Sequence, residues 1–244
     1  MNLLEVKRLH KTFGGVNALT DVSFTVEKGE IVGLIGANGA GKTTLFSVIS
    51  GSYPPSKGFV YFKGTDITGK KPFEICRRGL VRTFQVVRPF HNMTVLRNVT
   101  AGKLFGKDRI KDQRKAEEEA HRILQFVGLS KKAYSPAREL TLADHKRLEV
   151  ARALATNPEL LLLDEVLAGL TPTETSEAMK MVKEINQHLR ITVVMVEHVI
   201  KAVVGLCDKI FVLHYGRKIA EGTPKEVTEN PEVIEAYLGE RIEA

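Results

Sequence analysis

Tryptophan is absent and aromatic residues make up only 7% of the 244 residues, so no run of stacking platforms for single-stranded nucleic acid is present. Only two cysteines occur, Cys76 and Cys207, far apart and outside any CxxC or Cys/His spacing. That excludes a disulfide-stapled miniprotein and gives no zinc or redox motif; two reduced, buried thiols are expected. Long apolar runs are missing as well. Stretches such as Leu160 to Leu163 or Val193 to Val196 fall far short of the roughly 18 residues that a membrane-spanning helix needs. Charges at Glu5, Lys7 and Arg8 interrupt the apolar part of the N-terminus, the wrong order for a secretory signal, so a cytoplasmic location is expected. Low-complexity stretches and internal repeats are also lacking.

The composition is 43% hydrophobic and 27% charged, which fits a folded chain rather than a disordered or fibrous one. The formal net charge of +7 is a modest basic excess that favours an acidic partner such as a nucleotide, nucleic acid or an anionic membrane face. The length allows one large domain or two small ones around a sizeable core.

Val22, Phe24 and Val26 alternate with polar residues, then Lys28-Gly29 turns the chain into the apolar run Ile31 to Ile35. This predicts a half-buried strand followed by a fully buried one. The second runs into Gly36-Ala37-Asn38-Gly39-Ala40-Gly41-Lys42-Thr43-Thr44, after which Leu45 to Ile49 continue without a breaker. The order is strand, glycine loop, helix. Ala116, Ala120, Ile123, Leu124 and Val127 recur at helical spacing, with Gly128 as the stop. Thr171-Pro172-Thr173-Glu174 predicts a cap opening a helix whose apolar stripe is Ala178, Met181, Val182, Ile185 and Leu189. Thr223-Pro224-Lys225-Glu226 repeats that pattern and opens a C-terminal helical tail over about 223–244. Strand-rich segments at both ends enclose a mostly helical segment over about 73–152. The fold class is α/β, a single domain over 1–244 with an inserted helical subdomain.

Gly36 to Thr43 matches G-x-x-x-x-G-K-[ST]. Glycines let backbone N–H groups curl around phosphate oxygens, Lys42 supplies positive charge and Thr43 offers a hydroxyl to Mg²⁺. Leu160 to Leu163 followed by Asp164-Glu165 is an apolar strand ending in two carboxylates, at the sheet edge where ligands bind. Asp164 can hold Mg²⁺ through water while Glu165 polarises an attacking water. His198 follows the apolar strand Thr192 to Val196, and a third polar group on that edge can donate to a terminal phosphate.

Together these residues resemble the ATP-binding subunit of ATP-binding-cassette transporters along essentially the whole chain. The resemblance implies a P-loop NTPase core with a mixed sheet, an N-terminal antiparallel β portion, and ATP and Mg²⁺ as cofactors. Phe13 sits where the family stacks an aromatic on adenine. Gln85 in Arg82-Thr83-Phe84-Gln85 sits where its mobile glutamine reaches Mg²⁺ and water. Nucleotide contacts then fall to Gly36, Asn38, Gly39, Ala40, Gly41, Lys42, Thr43 and Thr44. Metal contacts fall to Thr43, Gln85 and Asp164, and the chemistry to Glu165, His198 and Gln85. Leu140 to Leu154 looks like the signature segment with its helix, and Ala168 to Thr171 like the loop that touches the opposite subunit. Thr141 keeps the signature hydroxyl. Leu142, Ala143 and Asp144 depart from the family's Leu-Ser-Gly-Gly-Gln, and Asp144 is expected to add a negative charge near a partner's triphosphate.

The segments 165–174 and 230–239 resemble the branch that powers import of branched-chain amino acids and related compounds. The expected partners are membrane permease subunits, a second cassette ATPase in a homo- or heterodimer and, indirectly, a periplasmic or extracellular solute-binding protein. No nucleic acid is expected, and the location implied is the inner face of the cell membrane. The stretch from Gln85 to about Leu104, with Arg88, Pro89, Phe90, Met93 and Val95, is expected to form a groove for a permease helix. Alternatives are a cassette for an amide, urea or lipid, a low-turnover regulatory subunit, a small-molecule kinase, and a cassette acting on nucleic acid or ribosomes. The kinase lacks an acceptor pocket, and the chain has no room for the tandem cassettes or long coiled coils of the last.

Overall fold

A hairpin of two long strands, β1 (Asn2–Phe13) and β2 (Val16–Glu27), turns at Gly14-Gly15. β1 also pairs with β4 (Lys57–Phe62), which pairs with β5 (Thr65–Asp66), in an antiparallel sheet of order β2-β1-β4-β5. The alternation read in the sequence becomes burial: Val22, Phe24 and Val26 are buried between partly covered or exposed neighbours. The computed structural model describes residues 2–84, 89–198 and 200–238.

The second sheet holds β3 (Ile31–Ile35), β6 (Leu80–Arg82), β7 (Leu160–Asp164), β8 (Thr192–Val196), β9 (Lys209–His214) and β10 (Arg217–Gly222). Its order is β10-β9-β3-β8-β7-β6, and all pairs are parallel except β10 with β9. Both faces are covered, so the central strands read as continuous apolar runs rather than alternating ones. Leu160 to Leu163 are fully buried, each contributing roughly 1.5–3 kcal/mol of hydrophobic stabilisation. Val32, Leu34, Leu160, Leu162, Val194 and Phe211 share one core with the first sheet and with Leu45, Phe46 and Ile49 of α1 (Lys42–Ile49). Ile31, Ile35, Leu161, Leu163, Val193 and Met195 share the other with the remaining helices.

Helix α2 (Pro72–Arg78) leads into β6. Between β6 and β7 lie α3 (Val95–Phe105), α4 (Gln113–Phe126) and α5 (Leu142–Ala155), capped by Thr94, Asp112 and Thr141. The segment read as mostly helical over about 73–152 holds α2, then a strand of the main sheet, and its longer helices from Val95 onward. Three residues, Leu80 to Arg82, are too short for a period to register. In α4, Ala116, Ala120 and Leu124 are buried as the spacing predicts. Thr171 and Glu174 form the expected capping box of α6 (Pro172–Gln187), where Val182 and Ile185 are fully buried. Leu189 does not extend that stripe: it lies beyond the last helical residue and is 46% exposed. Three short helices follow: α7 (Ile200–Leu206), α8 (Pro224–Thr228), opened by a Thr223–Glu226 capping box, and α9 (Pro231–Leu238).

Candidate functional site

The strand order β3-β8-β7-β6 brings the loops after these four strands side by side at one sheet edge, as the sequence reading requires. After β3 the chain packs too closely for a side chain at Gly36 or Gly41. A Cβ on Gly36 would lie 2.2 Å from the Leu213 carbonyl oxygen, and one on Gly41, at φ 103°, 2.7 Å from that of Ala18. These glycines let the loop wedge between β2 and β9 and deliver the N-terminus of α1 with no side-chain cap and no acidic residue in its first turn. N–H groups that point out of a helix start at its positive dipole end suit an anion. Lys42 Nζ donates to the carbonyls of Gly36 (2.5 Å) and Ala37 (2.7 Å), spanning the loop. A cavity of about 280 Å³ is lined by Ala18, Asn38 to Thr44, Glu165 and His198, so the loop, one of the two carboxylates and the histidine converge.

Glu165 has φ 50°, a left-handed conformation costing a non-glycine residue on the order of 1 kcal/mol. Its N–H donates to the Val196 carbonyl (3.0 Å), its own carbonyl accepts from Lys146 Nζ (2.8 Å), and its Oε1 lies 2.8 Å from His198 Nε2. Asp164 is fully buried. Its Oδ2 accepts from Arg82 (2.6 Å) and its N–H donates to Thr83 Oγ1 (3.1 Å), while Oδ1 has no hydrogen-bond partner among the described residues.

Arg82 and Glu197 belong to this edge and were missed in the sequence, since each reads as an ordinary strand-end charge. Glu197 is 2% exposed and its Oε1 accepts from the Leu167 N–H (2.9 Å), tying the loop after β8 to the loop after β7. Burial, with a smaller push from the Glu165 carboxylate, raises its carboxyl to about 7.

Phe13 is 40% exposed, stands edge-on to Tyr53 at 5.3 Å, and carries the Lys11 ammonium 4.6 Å from its centroid. It does not line the phosphate-loop cavity. Gln85 and Arg88 lie outside the described residues. Just before Gln85, the Phe84 N–H donates to Glu149 of α5 (2.5 Å), and burial raises that carboxyl above the ordinary range.

In the segment 141–144, Thr141 caps α5 by accepting from the Asp144 N–H (3.3 Å) and donates its hydroxyl to Asp144 Oδ2 (2.9 Å). Leu142 is exposed and approaches Gly169; Ala143 and Asp144 are buried. Asp144, expected to place a negative charge near a partner's triphosphate, forms an ion pair with Lys132 of its own chain. Burial alone would push the Asp144 carboxyl up, but the bonds from Lys132 and Thr141 outweigh it and the net shift is downward. Lys132 is twelve positions upstream in a different turn, so no spacing rule signals the pair.

A second cavity, about 310 Å³, lies between β6 and the helices α3 and α5, with the exposed rings of Phe84, Phe90 and Phe105 on its walls. Asn98 Nδ2 donates to the carbonyl of Phe90 (3.1 Å) and fixes this side. Val95 is fully buried and belongs to the core rather than to the groove surface. Among the described residues no helix is long and apolar enough to cross a membrane.

A glycine loop on a buried parallel strand, an acid pair one strand beyond the neighbour and a histidine between them define a P-loop nucleotide triphosphatase. The chain belongs to the ATP-binding-cassette transporter family: the family's ABC transporter profile matches residues 19–168. A second profile, branched-chain amino acid ATP-binding cassette transporter, matches residues 217–243. The chain is 41% identical to the high-affinity branched-chain amino acid transport ATP-binding protein LivG of Salmonella typhimurium, over 98% of each chain. It is 38% identical to the corresponding protein BraF of Pseudomonas aeruginosa, again over 98% of each. Among solved structures, a nucleotide-free ATP-binding cassette from an ABC transporter superposes with a TM-score of 0.89 at 35% identity, covering 97% of this chain and 99% of that one. A dimeric post-hydrolysis cassette bound to ADP and phosphate superposes at 0.83 and 25% identity, covering 91% and 98%. The chain is an ATP-binding, ATP-hydrolysing cassette of this family.

Proposed function

We propose that this cassette energises import of branched-chain amino acids through membrane permease subunits, with Glu165 and His198 carrying the hydrolysis. The 2.8 Å contact between Glu165 Oε1 and His198 Nε2, both lining the phosphate-loop cavity, is the observation that carries the catalytic part. Glu165 orients a water for in-line attack on the γ-phosphorus and takes up its proton, and ADP is the leaving group. His198 donates a hydrogen bond to the terminal phosphate. Lys42 and the N–H groups of residues 39 to 44 hold the phosphate oxygens, Phe13 stacks on adenine, and Gln85 aids in placing the water.

Thr43, Asp164 and Gln85 would hold Mg²⁺. The donors fit, because all are hard oxygens and the buried Asp164 Oδ1 has no hydrogen-bond partner among the described residues, as suits an ion that keeps several waters. The ion would supply charge neutralisation on the phosphates.

Thr141 to Asp144 act across a dimer on the ATP of a second cassette subunit, with Thr141 and the N-terminus of α5 facing its γ-phosphate. The groove bounded by Phe84, Phe90 and Phe105 receives an apolar helical segment of the permease, with the chain working on the inner face of the membrane; the exposed rings on the groove's walls support this reading. The solute follows from the relatives' names and from the profile match at 217–243. A solute-binding protein would act on the far side of the permease.

Uptake of labelled leucine, isoleucine, valine and urea by cells lacking this cassette tests the reading. Leucine, isoleucine and valine uptake should fall, return with the parental chain, and not return with Glu165→Gln. Loss of urea uptake with leucine uptake intact would overturn the assigned solute.

A further inference from the structure

Arg82 is the last residue of β6, and its side chain is only 5% exposed. One end of its guanidinium donates to Asp164 Oδ2 (2.6 Å) and to Ser47 Oγ (2.8 Å). Ser47 lies on α1 and donates to the Thr43 carbonyl (2.7 Å), so Arg82 is linked both to the carboxylate of the metal site and to the residue bearing its hydroxyl. The same group lies 5.8 Å from the Phe46 ring centroid of α1 and also borders the second cavity. The guanidinium lies 5.3 Å from the Phe84 ring centroid, and Arg82 and Phe84 both line the groove between β6 and α3. Its buried Nε has no hydrogen-bond partner among the described residues, so the group is held by one end and by its face.

An arginine stays charged at any working pH, so its ion pair lowers the negative potential that Asp164 presents to a divalent cation. A cation binding at Asp164 contends with Arg82. Anything that moves Phe84 moves the face on which the guanidinium rests. We propose that Arg82 is a positioning residue that makes the cation affinity of the Asp164 site respond to occupancy of the Phe84–Phe90–Phe105 groove. This rests on the transport reading above: an apolar segment seated in the groove shifts the Phe84 ring, loosens the guanidinium's hold on Asp164 and readies the site for Mg²⁺.

The test uses the full chain, Mn²⁺ as the spin-active probe and a non-hydrolysable ATP analogue, with free Mn²⁺ read by electron paramagnetic resonance. Arg82→Gln removes the charge and should bind Mn²⁺ roughly tenfold more tightly than the parental chain, the size of effect one adjacent charge exerts on an ionisable site. Analogue affinity without metal should stay at the parental value. Arg82→Lys keeps the charge but loses the planar fork whose two nitrogens reach Ser47 and Asp164 separately, and should gain roughly threefold. In the reconstituted transporter both variants should lose most of the permease-dependent stimulation of ATP hydrolysis.

Mn²⁺ affinity equal to or weaker than parental in folded Arg82→Gln overturns the proposal. If that variant does not fold, the same criterion applies to Arg82→Lys. A brace with no effect on the cation would lower thermal stability and leave the Mn²⁺ isotherm unmoved, which also overturns it. A parental chain showing neither Mn²⁺-dependent analogue binding nor permease stimulation defeats the transport reading itself. A parental chain showing both, with variants that match it, defeats only the role of Arg82.

Discussion

Lys132 and Asp144 form an ion pair that closes onto the hydroxyl of Thr141, so the first turn of α5 carries its acidic residue already neutralised from within the chain. The charge that sets this segment apart from the family pattern is directed inward.

Lys132→Met should leave Asp144 half-sealed without its cation and lower stability by about 1 kcal/mol, the upper end for a partly exposed pair. Because the Asp144 carboxyl is shifted down, its contribution is present above the ordinary 3.8 and lost as pH falls through the lower folded value. The deficit of Lys132→Met should thus be seen at pH 7 and vanish in strong acid. Chemical denaturation at both pH values checks this.

Glu165→Gln should bind ATP with parental affinity and lose turnover by roughly 100-fold or more, since the amide keeps the shape and loses the basicity. Lys42→Ala should instead weaken nucleotide binding itself. Equilibrium binding and phosphate release, measured on both, separate the two roles; parental hydrolysis by Glu165→Gln removes Glu165 as the base.

Much of this edge was legible in advance. Gly36 to Thr44, Asp164 and Glu165 carry their own local grammar, because phosphate loops and strand-end acids need fixed neighbours in sequence. Arg82 escaped because its partner Asp164 is 82 residues away, and Glu197 because Leu167 is 30 away. Neither distance leaves a periodic trace. The strand Leu80–Arg82 escaped for a different reason, being too short for alternation, and Arg82 was read only as the approach to Gln85.

Glu197, with its carboxyl raised from 4.5 to about 7, makes folding sensitive to pH. A raised group contributes stability that is fully present below the unfolded value and lost as pH rises through the folded one, so stability should decline between about 4.5 and 7. Glu197→Gln keeps an oxygen acceptor for the Leu167 N–H and removes the ionisation. It should flatten that decline and raise stability at pH 8 by about 1–3 kcal/mol. Urea midpoints at pH 5 and pH 8 decide; parallel pH curves for the variant and the parental chain would remove Glu197 as the source.

A cysteine in place of the exposed His91, next in the chain to the groove-lining Phe90, should cross-link to permease loops in the intact complex. Absence of any cross-link there, with the complex verified as assembled, would place the permease contact elsewhere.

The strand that delivers the phosphate loop, Ile31 to Ile35, is made early, yet both of its partners in the sheet, Thr192–Val196 and Lys209–His214, are made late. During synthesis this apolar strand waits with two bare edges while more than 150 residues are added. Unpaired strand edges of that kind template aggregation. Ribosome-bound chains halted before Thr192 are consequently the species that most need a chaperone, and a chain cut anywhere upstream of β8 cannot shield its own nucleotide-binding strand.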